Sequence, residues 1–177
     1  MRIPFIGALA FGIAFSAAHF LTLNALPGRI MAKAREAMVE RGLPLHHWQM
    51  SPRVTPETQT IVRPSPDLAY AICLVDVSEG PVLITVPTWP EYGSLSVFDA
   101  RTDNVYAGSL DARLPEATGE RRIIVALKGQ DVYSFGDAEQ VIVSKPEALA
   151  LVRRLAPTQA LYDAAATLAP ASKCGPA

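Results

Sequence analysis

Four carboxylates, Asp76, Glu79, Asp99 and Asp103, stand at the ends of short apolar segments. Two such groups facing one another could act as acid and base on a glycosidic bond, so a hydrolase using Asp76 or Asp99 is one expectation. The competing expectation is structural, because an aspartate at a strand end caps a turn by accepting from nearby amides. A second set is aromatic: Trp89 and Tyr92, with Phe98 and Tyr106, could form a platform for a sugar or lipid, or could fill a core or a partner interface. His46 and His47 are the only adjacent histidines. Neighbours in an extended segment point to opposite sides, and no Cys-x-x-Cys or His-x-x-x-His completes a ligand set, so neither a metal site nor a cofactor is expected. No serine sits in Gly-x-Ser-x-Gly, and no glycine-rich loop joins a strand to a helix.

These residues must be positioned by what surrounds them, and the chain begins with an element of another kind. From Ile3 to Leu26 no carboxylate, lysine or arginine occurs. As a helix this run covers roughly 36 Å, enough to cross a hydrocarbon core of about 30 Å. Ser16-Ala17-Ala18 would also suit a signal peptidase, but the apolar character continues through Phe20, Leu21 and Leu23 to Leu26, which favours a retained anchor over residues 1–27. Within the run Ala8, Gly12, Ser16 and His19 share one side, a face that lets helix backbones approach closely and lets histidine or serine hydrogen-bond to a neighbour. Arg29, Lys33, Arg35 and Arg41 follow the run, and that count alone places the body in the cytoplasm. A signal-anchor reading places it on the other side.

The 177 residues carry 16 basic and 17 acidic side chains, a formal charge of -1, which excludes the footprint of a nucleic-acid binder. About 150 residues remain beside the anchor, one domain's worth. Cys73 and Cys174 are compatible with a disulfide in an oxidising compartment, or with one buried and one loose thiol.

Pro27 and Gly28 are expected to end or kink the first helix, and Arg29 to Arg41 reads as an amphipathic stalk helix with Ile30, Met31, Ala34 and Met38 on one face. A proline-rich extended connection completes the segment 28–67. Over 68–170 the sequence predicts a small antiparallel β domain with C-terminal helices, an α+β fold that is mainly β. Its strands fall at Ala69–Val77, Val82–Val86, Leu95–Asp99, Arg122–Leu127 and Gln140–Val143. Ser78-Glu79-Gly80-Pro81 reads as a hairpin turn between the first two. Ser144-Lys145-Pro146-Glu147 reads as a capping box opening a helix with Leu149, Val152 and Leu155 on its apolar side, and Thr158 caps a second helix running to about Leu168. Residues 171–177 read as a tail.

The run Tyr70-Ala71-Ile72-Cys73-Leu74-Val75-Asp76-Val77-Ser78-Glu79-Gly80-Pro81, followed by Pro87, Tyr92 and Phe98-Asp99-Ala100-Arg101-Thr102-Asp103-Asn104, resembles the core of the domain-of-unknown-function 1254 family. The positions that carry the resemblance are Tyr70, Asp76, Gly80, Pro81, Asp99 and Asn104, with Asp103 inserted before Asn104. The resemblance implies a periplasmic body on the inner membrane of a Gram-negative bacterium. Larger members resemble a two-part protein with a second β domain of the 1214 family, so it also implies a separately encoded, membrane-anchored 1214-type partner. Exposed sheet edges in so small a domain point the same way, to such a partner or to self-association.

Overall fold

The computed structural model describes residues 3–58 and 64–177. One helix, α1, runs without interruption over Ile3–Glu40. Pro27 lies inside it, so the expected membrane helix and stalk helix are a single rod. Proline removes one amide from the helix ladder and Gly28 is a poor helix former, but the turns that follow are docked on the β domain through Met31 and Arg35, and tertiary packing overrides local propensity. The strands are β1 (Gln49–Met50), β2 (Leu68–Asp76), β3 (Val82–Pro87), β4 (Gly93–Asp99), β5 (Asn104–Ser109), β6 (Glu120–Leu127), β7 (Glu139–Val143), β8 (Glu147–Leu155) and β9 (Lys173–Pro176). A short helix, α2 (Gln159–Thr167), follows β8, and Thr158 caps it as expected by accepting from the Leu161 amide.

The strands form two sheets, ordered β1-β2-β8-β4-β5 and β7-β6-β3-β9. All pairings are antiparallel except β6 with β7. Period-two alternation aims one face of each sheet at the other. From the first sheet come Ala71, Cys73, Val75, Leu95, Val97, Ala148, Ala150 and Val152; from the second, Val82, Ile84, Val86, Ile123, Val125, Val141 and Val143. Each large apolar side chain among them contributes about 1.5–3 kcal/mol on leaving water, which is what holds the layers together. Cys73 of β2 and Cys174 of β9 are joined by a disulfide, so a covalent bond also ties one sheet to the other.

Three sequence expectations are corrected. The helix expected from Ser144 is instead β8, which lies between β2 and β4 and pairs with both. Glu-Ala-Leu-Ala-Leu favours a helix by only tenths of a kcal/mol per residue, and two ladders plus burial of Ala148, Ala150 and Val152 outweigh that preference. The turn at Ser78–Pro81 is not a hairpin, because β2 and β3 belong to different sheets. Both strands bury a face in the shared core, so the chain arches from one layer to the other. The expected tail contains β9, whose residues pair with Val82 to Thr85 of β3.

Candidate functional site

The hairpin β4–β5 closes on Asp99, whose carboxylate organises the whole turn. Its Oδ1 accepts from the amides of Arg101 at 2.7 Å and Asp103 at 3.2 Å, and its Oδ2 accepts from the Ser144 hydroxyl at 2.6 Å. Its own amide donates to the Asp103 carbonyl, and Thr102 holds the left-handed conformation the tip requires, with φ 67°. Asp99 is 3 % exposed. Burial pushes its carboxyl upward, but the Ser144 hydroxyl and the two amides together outweigh that and hold it below the ordinary aspartate value.

The same corner receives α1. Arg101 Nη2 donates to the Asn24 side chain at 3.0 Å, and Gly28 lies beside the Ala100 carbonyl. Further along the helix Met31 is buried, and Arg35 Nη1 donates to the carbonyls of Val75 at 3.2 Å and Ala148 at 2.6 Å. Those two residues are opposite one another in the β2–β8 ladder, so one guanidinium clasps both strands. Of the face expected from sequence, Met31, Ala34 and Met38 are at least half-buried while Ile30 is exposed. From Phe5 to Leu23 the apolar side chains of α1 stand exposed, and the helix is long and apolar enough to cross a membrane.

Asp76 lies across β8 from Asp99. Its Oδ1 accepts from the Ser78 amide at 2.9 Å. The Ser78 hydroxyl and amide hold its carboxyl low against partial burial, with Arg35 and His46 adding to the effect. A ring nitrogen of His46 lies 2.9 Å from the Asp76 carbonyl and 3.1 Å from its amide, so His46 fastens the following loop to the end of β2. The registers Asp76↔Glu147 and Asp99↔Ala148 place the two aspartates on opposite faces of the sheet, Asp99 with core-facing Val97 and Ala148, Asp76 with the outer face. They do not face one another, and the two-carboxylate hydrolase is corrected accordingly: each aspartate caps a turn.

The aromatic set is likewise divided. Trp89 is 5 % exposed, packs with Ala69, Ala156 and Ala165, and donates from Nε1 to the Leu155 carbonyl at 3.0 Å. Tyr92 is 45 % exposed, and its hydroxyl donates to the Ser94 hydroxyl at 3.3 Å. Phe98 is half-buried on the outer face, and Tyr106 packs against the inner core. The expected platform of Trp89 and Tyr92 is therefore not assembled, because the indole is needed inside. Tyr70 accepts from the Ser65 amide at 2.8 Å and lines a cleft of about 670 Å³ with Met38, Val54, Ile72 and Leu151. Among the described residues no group of three metal-ligating side chains comes together. Gly80 and Pro81 form the arch between sheets, and the Pro81 carbonyl accepts from Ala177. Asn104 opens β5 opposite Phe98. The Ala8, Gly12, Ser16 and His19 face lies on the exposed part of α1, where His19 stacks with Phe15.

Arg154, which sequence reading passed over, is 1 % exposed between the sheets. Its Nη2 donates to the Pro87 carbonyl at 3.1 Å, its Nε has no partner, and no carboxylate pairs with it among the described residues. Burial pushes its guanidinium down to about 10, so it stays charged at neutral pH. A buried, unpaired charge costs more than it returns. Arg154→Met is expected to stabilise the domain by about 1–3 kcal/mol. A thermal melt checks this, and a lower midpoint would mean the guanidinium is required where it is. Reading residues 147–155 as a strand would have exposed Arg154 as an inward-facing charge.

The model of the family described as "Protein of unknown function (DUF1254)" matches residues 45–176. The chain belongs to that family. The DUF1254 match begins just after α1 and takes in every strand of both sheets. Among solved structures, the VPA0106 protein from Vibrio parahaemolyticus resembles the chain with a TM-score of 0.64 at 18% identity, over 85% of this chain and 35% of that one. An uncharacterised protein from Burkholderia cenocepacia gives a TM-score of 0.46 at 18% identity, over 76% and 37% of the two chains. This DUF1254 chain thus spans about a third of the length of the solved structures it resembles. No curated protein matches it. Within the DUF1254 region, Asp76, Gly80, Pro81, Asp99 and Asn104 gather at one end of the sandwich, the end where α1 docks.

Proposed function

We propose that this chain is a membrane-anchored, non-enzymatic module of the bacterial envelope that holds its β-sandwich in the periplasm and assembles there with a separately encoded β-domain protein. The observation that carries the reading is the joint between α1 and the sandwich. The polar groups of the candidate site are committed to that joint and to the turns beside it: Arg35 to strand carbonyls, Arg101 to Asn24, and Asp99 to three donors. A site whose cations Arg35 and Arg101 join the helix to the sandwich, and whose aspartates Asp76 and Asp99 cap turns, serves placement better than chemistry. The inter-sheet disulfide favours an oxidising compartment and so the periplasmic side. Arg35, one of the cations that the charge count assigns to the cytoplasm, is half-buried against the sheet. A second β protein is supported by the edge strands β1, β5, β7 and β9, whose outer sides can pair with another chain.

Purification of the tagged full-length chain in mild detergent, with intact-mass measurement, is the test. The expected result is an uncleaved chain accompanied by a second membrane-anchored β protein, with Gly12→Leu and Ser16→Leu together releasing it, since filling the small face separates the helices. Recovery of a processed chain alone would overturn the reading.

A further inference from the structure

The joint fixes more than attachment. Asn24 belongs to the last turns of the apolar run, yet its side chain is bonded to Arg101 at the tip of the β4–β5 hairpin. Gly28, one turn on, lies against the Ala100 carbonyl of the same tip. The hairpin tip therefore sits level with residues 24–28 of the helix. Counting back along the rod, Ile3 to Leu23 supplies about 31 Å at 1.5 Å per residue, close to the roughly 30 Å of a bilayer core. The exposed apolar side chains Phe20, Leu21 and Leu23 end this stretch, and exposed Arg29 and Lys33 follow within three turns. Once the apolar stretch fills the core, the only layer left at the height of the tip is the headgroup region.

We propose that the tip of the β4–β5 hairpin, Arg101 to Val105, is seated on the membrane surface, with Arg101, Arg29 and Lys33 facing anionic phospholipid headgroups. The proposal rests on the retained-anchor reading and adds to it which part of the sandwich meets the lipid. Arg101 uses one guanidinium nitrogen on Asn24 and keeps further donors for phosphate oxygens. Exposed Lys145 follows Ser144, whose hydroxyl is bonded to Asp99 beneath the tip, and adds a fourth cation near the same corner. Asp103 opposes them within the tip and the buried Asp99 carboxylate lies beneath it, two carboxylates against the four cations. Val105 is an exposed valine at an edge strand, an apolar contact suited to the interface rather than to water. Each cation near an anionic leaflet is drawn towards it, so three or four together set the orientation of a domain already tethered.

The test uses the full chain in vesicles of phosphatidylethanolamine and phosphatidylglycerol, with an environment-sensitive fluorophore on Thr102→Cys at the tip or on Ala164→Cys in α2 as the remote control. The native cysteines are occupied by their disulfide under non-reducing labelling. The expected result is a blue-shifted emission at 102 that headgroup-labelled quencher lipids extinguish, with no loss at 164. Equal, unquenched emission from both positions in a chain that resists alkaline carbonate would overturn the seating while leaving the anchor intact. A chain released by carbonate would overturn the anchor reading, and the seating with it.

Discussion

Replacing Cys73 and Cys174 together by alanine is expected to lower the stability of the sandwich by about 4–5 kcal/mol, the figure chain entropy gives for a closed loop of roughly 100 residues. The two cysteines are 101 residues apart, nearly the whole span of the β domain, so the bond constrains most of the unfolded chain. Its position sharpens the effect. β9 is a four-residue edge strand held on one side only by β3, and the disulfide is its covalent link to the opposite sheet. The double variant is therefore expected to lose β9 first. Chemical denaturation measures the total, and hydrogen exchange at Ile84 against Ile123 locates the loss. A change below about 1 kcal/mol would mean that packing alone defines the sandwich.

Asp99→Ala is expected to cost about 3 kcal/mol, because it strands two amides and a hydroxyl that now share a buried carboxylate. Asp99→Asn keeps an acceptor for the amides and is expected to cost less. The two variants separate loss of the turn from loss of charge. The pH dependence has a definite sign. The folded carboxyl titrates below its unfolded value of about 3.9, so the stability it supplies is fully present above that pH and disappears as the pH falls through the lower, folded value. Wild type should lose stability on acidification below about pH 4 more steeply than Asp99→Asn, as read from denaturation midpoints. Identical slopes would remove Asp99 from the account.

Much of the fold was legible because β-branched residues dominate β3 and β7, and short apolar runs bounded by turn residues mark β2 and β6, so that each strand's own composition already argues for extension. What was illegible depended on distant neighbours. β8 reads as a helix until β2 and β4 are placed on either side of it, and Asn104–Ser109 alternates too weakly to announce β5. Ser78–Pro81 looks like any tight turn, and only the allocation of β2 and β3 to separate sheets makes it an arch. The turn-capping role of the strand-end aspartates was legible, since it follows from local chemistry. The clasp of Arg35 was not: its partners lie 40 and 113 residues further on, and nothing nearby distinguishes it from its neighbours Arg29 and Lys33. Asn24 did leave a signal, as a side-chain amide within the last turns of an apolar run.

The continuity of α1 through Pro27 has a mechanical consequence. With no swivel between rod and sandwich, rotation of the rod about its own axis turns the sandwich through the same angle, like a flag fixed to its mast. Two such rods that meet along a chosen seam must carry their sandwiches at one relative azimuth. A partner is then selected twice by a single angle, once by how the rods fit and once by whether the surfaces above them come into register.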